Sequence, residues 1–288
     1  MFSMLYFALL LRILANPLAN VFQKKLTSSG VPASEVNMYA YVFAFFVSLV
    51  CLHFSPEVHA GPGVLLLCLF SGFLGATGNF FLIKALESGE LSVLGPINSY
   101  KPVCGIVFGI LVLGEYPDFY ALLGVAAIIF GSYFMFESKG AFNADKLFNR
   151  AIAYRIAALA LASLEAVFLK KIIIQTSAEF GFCAWAMTGV IFSLPFVALG
   201  GRQKKCAPKI SKSKKFLFFG LTGAFVSAMQ LSTNWVFAYM QVGLALALFQ
   251  LSGAISVIFG LLFFGEKNFW PKLAGSLIMC MGAAAVIL

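Results

Sequence analysis

Ten runs of about twenty apolar residues succeed one another along this chain, and most of the joints between them are short. A run of that length is what an α-helix needs to cross the hydrocarbon core of a bilayer. Helices satisfy every backbone polar group internally, so they are what such runs can form there. The runs cover roughly residues 3–23, 36–54, 63–86, 91–113, 118–136, 151–173, 180–200, 215–240, 243–264 and 269–288. Charged residues make up 11% of the chain and hydrophobic ones 61%, with a mean hydropathy of +0.95. A soluble domain has about 25% charged residues. The chain therefore reads as an all-α integral membrane protein with ten transmembrane helices.

That reading changes what the other residues mean. A net charge of +9 would point to nucleic acid in a soluble protein. Here the charges are mostly confined to loops, where they set topology and meet anionic lipid, so nucleic acid is not an expected partner. Cys51, Cys68, Cys104, Cys183 and Cys280 lie in or at the ends of apolar runs and act as small hydrophobes. No CxxC pair or disulfide framework is present. His53, Glu57 and His59 share a short loop and are read as solvated, so no metal is expected. Phosphate-binding glycine loops, nucleophile elbows and zinc-protease motifs are absent, which leaves neither a cofactor nor an enzyme to expect. The first run lacks a basic leader and a cleavage site, and is expected to be retained.

The fourth run departs from a plain spanning helix. It carries Asn98, Tyr100 and Lys101 between Pro96 and Pro102. Proline removes a ladder hydrogen bond and clashes with the turn before it, and in lipid such a break survives where protein or a wet cavity serves the freed carbonyls. A lysine at that depth marks a pathway or a buried pair. Gly105 and Gly109, four apart, then admit a close helix neighbour, and the run ends on Gly114-Glu115. These features describe a cavity wall.

The chain also repeats. Val21-Phe22-Gln23-Lys24-Lys25 recurs as Val167-Phe168-Leu169-Lys170-Lys171, 146 residues on. At a shift of 151, Phe108-Gly109 meets Phe259-Gly260, Gly114-Glu115 meets Gly265-Glu266, and Gly124 and Gly131 meet Gly275 and Gly282. A run of matches at nearly one offset indicates a duplicated five-helix unit. Five is odd, so the second copy enters the membrane upside down, giving two inverted repeats with a site near the midplane. The expected division is 1–137, a linker at 138–150, and 151–288.

Orientation follows from Lys and Arg. Loops after odd-numbered runs hold fifteen: Lys24, Lys25, Lys84, Lys139, Lys146, Arg150, Lys267, Lys272, and the seven of the basic segment 201–215 (Arg202, Lys204, Lys205, Lys209, Lys212, Lys214, Lys215). The other side has Lys170 and Lys171. The basic segment is therefore expected in the cytoplasm and both termini outside, in a bacterial inner membrane.

Together the ten runs, the five-plus-five repeat, the Pro-x5-Pro-Val…Gly-x4-Gly-Glu fourth run and the Phe-Gly…Gly-Glu ninth run resemble the drug/metabolite transporter superfamily, EamA-like branch. The resemblance covers essentially the whole chain. It implies a transporter of small metabolites with a central cavity lined by spans 1, 3, 4, 6, 8 and 9, and peripheral fifth and tenth spans. Ala247 and Gly253 depart from it, because the ninth run lacks both prolines of the fourth.

Within that frame, Arg12, Lys101 and Glu165 stand out. At about 1.5 Å per residue, Glu165 lies roughly 21 Å, Lys101 roughly 15 Å and Arg12 roughly 17 Å from the cytoplasmic side of a core about 30 Å thick. Intramembrane charges are paired or functional, so an ion-coupling pair of Glu165 with Lys101 or Arg12 is the first expectation; a static pair, or an Arg12 that snorkels outward, is the alternative. Asn16, Asn79, Asn98, Tyr100, Gln230, Asn234, Trp235 and Gln250 are the candidate solute contacts, with Lys101 among them. Amides suit a zwitterionic or hydroxylated solute and the indole offers a π face, while interhelical glue is the competing role. Trp185 is a further cavity candidate, and Trp270 reads as an interfacial anchor. Pro17, Pro96 and Pro102 are the expected helix breaks. The functional expectation is a secondary transporter, exporter or exchanger, of a small-molecule substrate. A lipid-headgroup flippase subunit or a helical scaffold is the alternative. A homodimer is left open.

Overall fold

The computed structural model describes residues 2–55, 60–88, 97, 100–136, 150–200, 211–253, 255 and 269–287. Among them are ten helices: α1 Phe2–Ser28, α2 Ala33–His53, α3 Pro62–Ser88, α4 Lys101–Leu113, α5 Phe119–Phe136, α6 Arg150–Gln175, α7 Ala178–Gly200, α8 Lys212–Tyr239, α9 Val242–Phe249 and α10 Phe269–Ile287. Five stretches are long and apolar enough to cross a membrane: Met4–Thr27, Ser34–His53, Pro62–Leu82, Ala178–Ala198 and Lys212–Tyr239. Lys101–Leu113, Phe119–Ser132, Val242–Gly253 and Leu277–Val286 are shorter apolar helices. The 26-residue α6 is in neither group; it carries Arg155, Glu165, Lys170 and Lys171.

Local chemistry sets the helix ends. Past α1, Gly30 takes a positive φ of 90°, its amide donates to the Thr27 carbonyl and the Val31 amide to that of Leu26. Val31 and Leu26 also pack together with Val36, the apolar contact that accompanies this type of glycine stop. Asp118 starts α5 by accepting the Ala121 amide at 2.7 Å, and Ser177 starts α7 by accepting that of Phe180 at 3.0 Å.

Two expectations are corrected here. Pro17 does not break α1, which runs through it from Phe2 to Ser28; neighbouring helices can hold a proline-containing membrane helix together. Pro102 lies in the first turn of α4, which begins at Lys101 inside the fourth run, and a missing amide hydrogen in a first turn costs nothing in the ladder. Residues 212–215, assigned to a basic loop, are instead the first turn of α8, opened by Ser211, whose carbonyl accepts the Lys215 amide at 3.0 Å. Pro96, Asn98 and residues 201–210 lie outside the described residues.

The chain forms two compact units, and each draws on both halves of the sequence. Unit 1 comprises Met1–Ala76 and Phe168–Tyr239; unit 2 comprises Thr77–Val167 and Met240–Leu288. The division falls inside α3 and α6.

In unit 1, α1 packs along α8 and α2 along α7. Small residues make room for facing side chains: Gly189 closes on the Tyr41 ring, Gly223 on the Phe43 ring, and Gly72 on Thr188. Ala44, Phe182 and Ala186 form a buried cluster with Trp185 against it, so Trp185 packs in this core.

In unit 2, α5 packs along α10 and α4 along α9. The glycine stripes meet there. A Cβ on Gly124 would lie 2.6 Å from the Gly282 carbonyl oxygen, and one on Gly131 would lie 2.6 Å from that of Gly275. Gly105 and Gly243 also lie close between α4 and α9: a Cβ on Gly105 would lie 2.6 Å from Leu246 Cδ1, and one on Gly243 would meet the Ile106 side chain and lie 2.8 Å from its backbone nitrogen. On α3, Gly78 closes on Ala158 and Leu161 of α6.

Candidate functional site

Unit 2 explains the Gly-x4-Gly-Glu ending of the fourth run. Gly114 adopts a left-handed φ of 68°, which ends α4 and turns the chain back on itself. The Glu115 amide then donates to the Gly109 carbonyl at 3.2 Å, and its carboxylate accepts the Val242 amide at 2.8 Å. Val242 is the first residue of α9, so Glu115 places an anion where the helix dipole favours one. A Cβ on Gly109 would come within 3.2 Å of Glu115 Oε2, so a glycine there leaves the carboxylate its place. Beside it, the Gln241 side-chain amide donates to the Tyr116 carbonyl at 3.2 Å.

The other end of α4 meets α6. Ser163 is fully buried; its hydroxyl lies 2.8 Å from the Leu159 carbonyl of its own helix and 3.3 Å from the Lys101 carbonyl. That contact fastens the first residue of α4 to α6, two positions before Glu165. Glu165 stands on the face defined by 158, 161 and 162, the face that closes on Gly78. Lys101, Glu165 and Asn79 are half-buried in this unit. Gln250 caps the C-terminus of α9, also half-buried, and Tyr100 precedes α4 with its side chain 55% exposed. Arg155 is a further half-buried charge on α6.

Unit 1 holds the second group of candidates. Arg12 does not snorkel outward: its Nε donates to Thr233 Oγ1 on α8 at 2.7 Å. Thr233 in turn donates to the Met229 carbonyl at 2.8 Å. Asn16 lies one turn further along α1, half-buried. Gln230 and Asn234 are both buried, and the Gln230 amide donates to Asn234 Oδ1 at 3.0 Å. Asn234 Nδ2 donates across to the Ala178 carbonyl at 3.0 Å. Their hydrogen bonds are thus made with each other and with the start of α7, the pattern of interhelical glue.

Trp235 differs. It is half-buried, and its indole N–H donates to Glu179 Oε1 at 3.0 Å. Ser55 reaches the other carboxylate oxygen at 3.4 Å, and lies 3.4 Å from the Ser177 hydroxyl. Glu179 falls just before the seventh run, 180–200, and is not among the candidates drawn from the sequence. The signal that could have found it is local: Ser177-Ala178-Glu179 is a capping serine followed by an acid in the first turn. Lys170 was similarly counted as an outer-loop charge, but lies within α6 and is buried.

His53 is exposed, and Glu57 and His59 fall outside the described residues; among the described residues no group of three or more metal-ligating side chains gathers. Trp270, the expected interfacial anchor, belongs to the start of α10.

Comparison with known families gives a match to the EamA-like transporter family over residues 3–137 and again over 149–288. A crystal structure superposes with a TM-score of 0.76 at 15% identity, covering 99% of this chain and 96% of its own, a likeness of fold. Comparison with curated proteins gives no match.

Proposed function

Because the chain belongs to the EamA-like transporter family, a family of multi-pass membrane carriers with a duplicated ten-span fold, we propose that it is a secondary transporter of a small organic metabolite. It works as an exporter or exchanger by alternating access. The observation that carries this reading furthest is the Ser163–Lys101 contact. It holds the proline-containing start of α4 against α6 beside Glu165, which supports a site where a basic and an acidic group lie close in one unit. Lys101 then favours a solute bearing a carboxylate or other anionic group, and Glu165 exchanges a proton as the solute competes for its basic partner. The protonation state of a carboxylate depends on desolvation and on whether a cation faces it, and that dependence is what couples solute to proton.

We place the protein in the bacterial inner membrane with residues 201–215 on the cytoplasmic side. Moving Lys170 from loop to helix leaves the charge asymmetry in the same direction. An engineered cysteine in that segment should resist impermeant thiol reagents in intact cells; ready labelling would reverse the orientation.

The transport test begins with a metabolite screen by thermal shift on purified protein. Uptake of the solute found is then measured in proteoliposomes from mildly acidic to mildly alkaline pH. Glu165→Gln is close to isosteric with the protonated acid. Folded variant whose uptake has lost its pH dependence is expected. An unchanged pH profile removes Glu165 from the coupling role.

A further inference from the structure

We propose that Glu179, Trp235 and Ser55 form a recognition point for an organic ammonium group in unit 1. The inference rests on the reading of the chain as a solute carrier and adds a chemical class to it. The carboxylate of Glu179 takes the indole N–H on Oε1 and a long hydroxyl contact on Oε2. Among the described residues it forms no ion pair. All three side chains are partly exposed, and the same end of the unit has Phe54 82% exposed and Tyr239 46% exposed. The negative charge is therefore not sealed within the core, and its position is held from two sides.

The donor set selects the ligand. A hard divalent ion needs six or more oxygens, and among the described residues Glu179 belongs to no group of three or more metal-ligating side chains. A guanidinium prefers to bridge both carboxylate oxygens in one plane, and here the indole already occupies one of them. An ammonium needs a single strong acceptor. Oε2, which has only the long contact to Ser55, supplies it. An anionic solute is repelled.

The probes are n-butylammonium and, as the matched anion, butyrate, added at equal ionic strength to purified protein in detergent. Melting temperature and tryptophan fluorescence are followed. Butylammonium should protect the wild type and change its fluorescence saturably, and butyrate, whose carboxylate suits Lys101 in unit 2, should not compete with that response. Competition by butyrate, or no effect from butylammonium, overturns the site. Glu179→Gln keeps an oxygen for the Trp235 N–H but removes the charge, and should weaken butylammonium binding at least tenfold. Undiminished affinity in a folded Glu179→Gln variant also overturns it. Because the wild-type arm stands alone, the proposal is decided even if the variant does not fold.

An ethanolamine headgroup carries the same chemistry as a soluble amine. Nanodiscs of phosphatidylglycerol with and without phosphatidylethanolamine separate the two. Suppression of the butylammonium effect by phosphatidylethanolamine assigns the ammonium site to lipid, and persistence assigns it to a soluble solute. Butylammonium binding without uptake of any metabolite supports the site and removes the carrier reading. Metabolite uptake with no response to butylammonium does the reverse.

Discussion

The two units solve the same packing problem by different means. In unit 2, α5 and α10 approach closely enough that a side chain on Gly124 or Gly282 would strike the carbonyl and amide of the facing helix, together with the Val286 methyl or the Ala127 Cβ. In unit 1, glycines face side chains, the rings of Tyr41 and Phe43, and the close contacts are joined by buried polar groups, Gln230, Thr233 and Asn234. Lipid gives helices no hydrophobic reason to associate, so packing and interhelical hydrogen bonds must do it. The α5–α10 seam relies on the first, and the contacts of α8 with α1 and α7 on both. A backbone seam has no rotamer with which to accommodate a change, whereas a network of single hydrogen bonds loses them one at a time.

The largest expected effect follows from that contrast. Gly124→Leu or Gly282→Leu should nearly abolish folded protein. Overpacking a core usually costs about 1–3 kcal/mol, and here backbone as well as side chain is in the way. Size-exclusion yield in detergent measures it. Normal yield with altered solute preference would mean that the seam belongs to the site instead.

Glu115→Ala comes next. It removes the acceptor for the Val242 amide and leaves that end of α9 without its anion, a loss of about 1–2 kcal/mol by analogy with N-cap truncations. The melting temperature should fall, and Glu115→Gln, which keeps an oxygen, should recover part of the drop. Equal stability of Glu115→Ala and wild type would remove the role given to the Gly-Glu ending.

Unit 1 should yield by smaller steps. Asn234→Ala breaks one bond to α7 and one to Gln230, and polar contacts between membrane helices are worth about 1 kcal/mol each. A moderate fall in stability with unchanged solute binding is expected. Lost solute binding at wild-type stability would return Asn234 to the list of solute contacts.

These differences also show what could be read from the sequence and what could not. The seven-residue spacing of Gly124 and Gly131, repeated at Gly275 and Gly282, was legible because a helix carries residues seven apart on one face. The same periodicity says nothing of a residue whose partner lies far along the chain. Glu179 gave no such signal, because its serine and indole partners stand 124 and 56 residues away. Arg12 and Asn234 were recognised as polar groups in apolar runs, but their direction, toward Thr233 and Ala178, depends on which helices pair. Pro17 misled for the converse reason: proline chemistry is local, and the packing that keeps α1 continuous is not.

The smallest effect tests the comparison most finely, because it uses two glycines three residues apart in one helix. A Cβ on Gly220 would meet nothing within 4 Å, whereas one on Gly223 would lie 2.6 Å from the Phe43 ring carbon Cδ1. Alanine is the better helix former by about 0.5–1 kcal/mol. Gly220→Ala should therefore leave stability unchanged or raise it slightly. Gly223→Ala receives the same gain in propensity but must displace an aromatic ring packed between α2 and α8, so it should lower the melting temperature. If side chains in unit 1 yield as freely as the comparison with unit 2 requires, that loss stays smaller than the one from Gly124→Ala, where the facing atoms include backbone. Melting curves of the three alanine variants in one detergent decide it. A Gly223→Ala loss equal to that of Gly124→Ala would show that a buried ring in this fold is as unyielding as backbone, and the distinction between the two units would then rest on their hydrogen bonds alone.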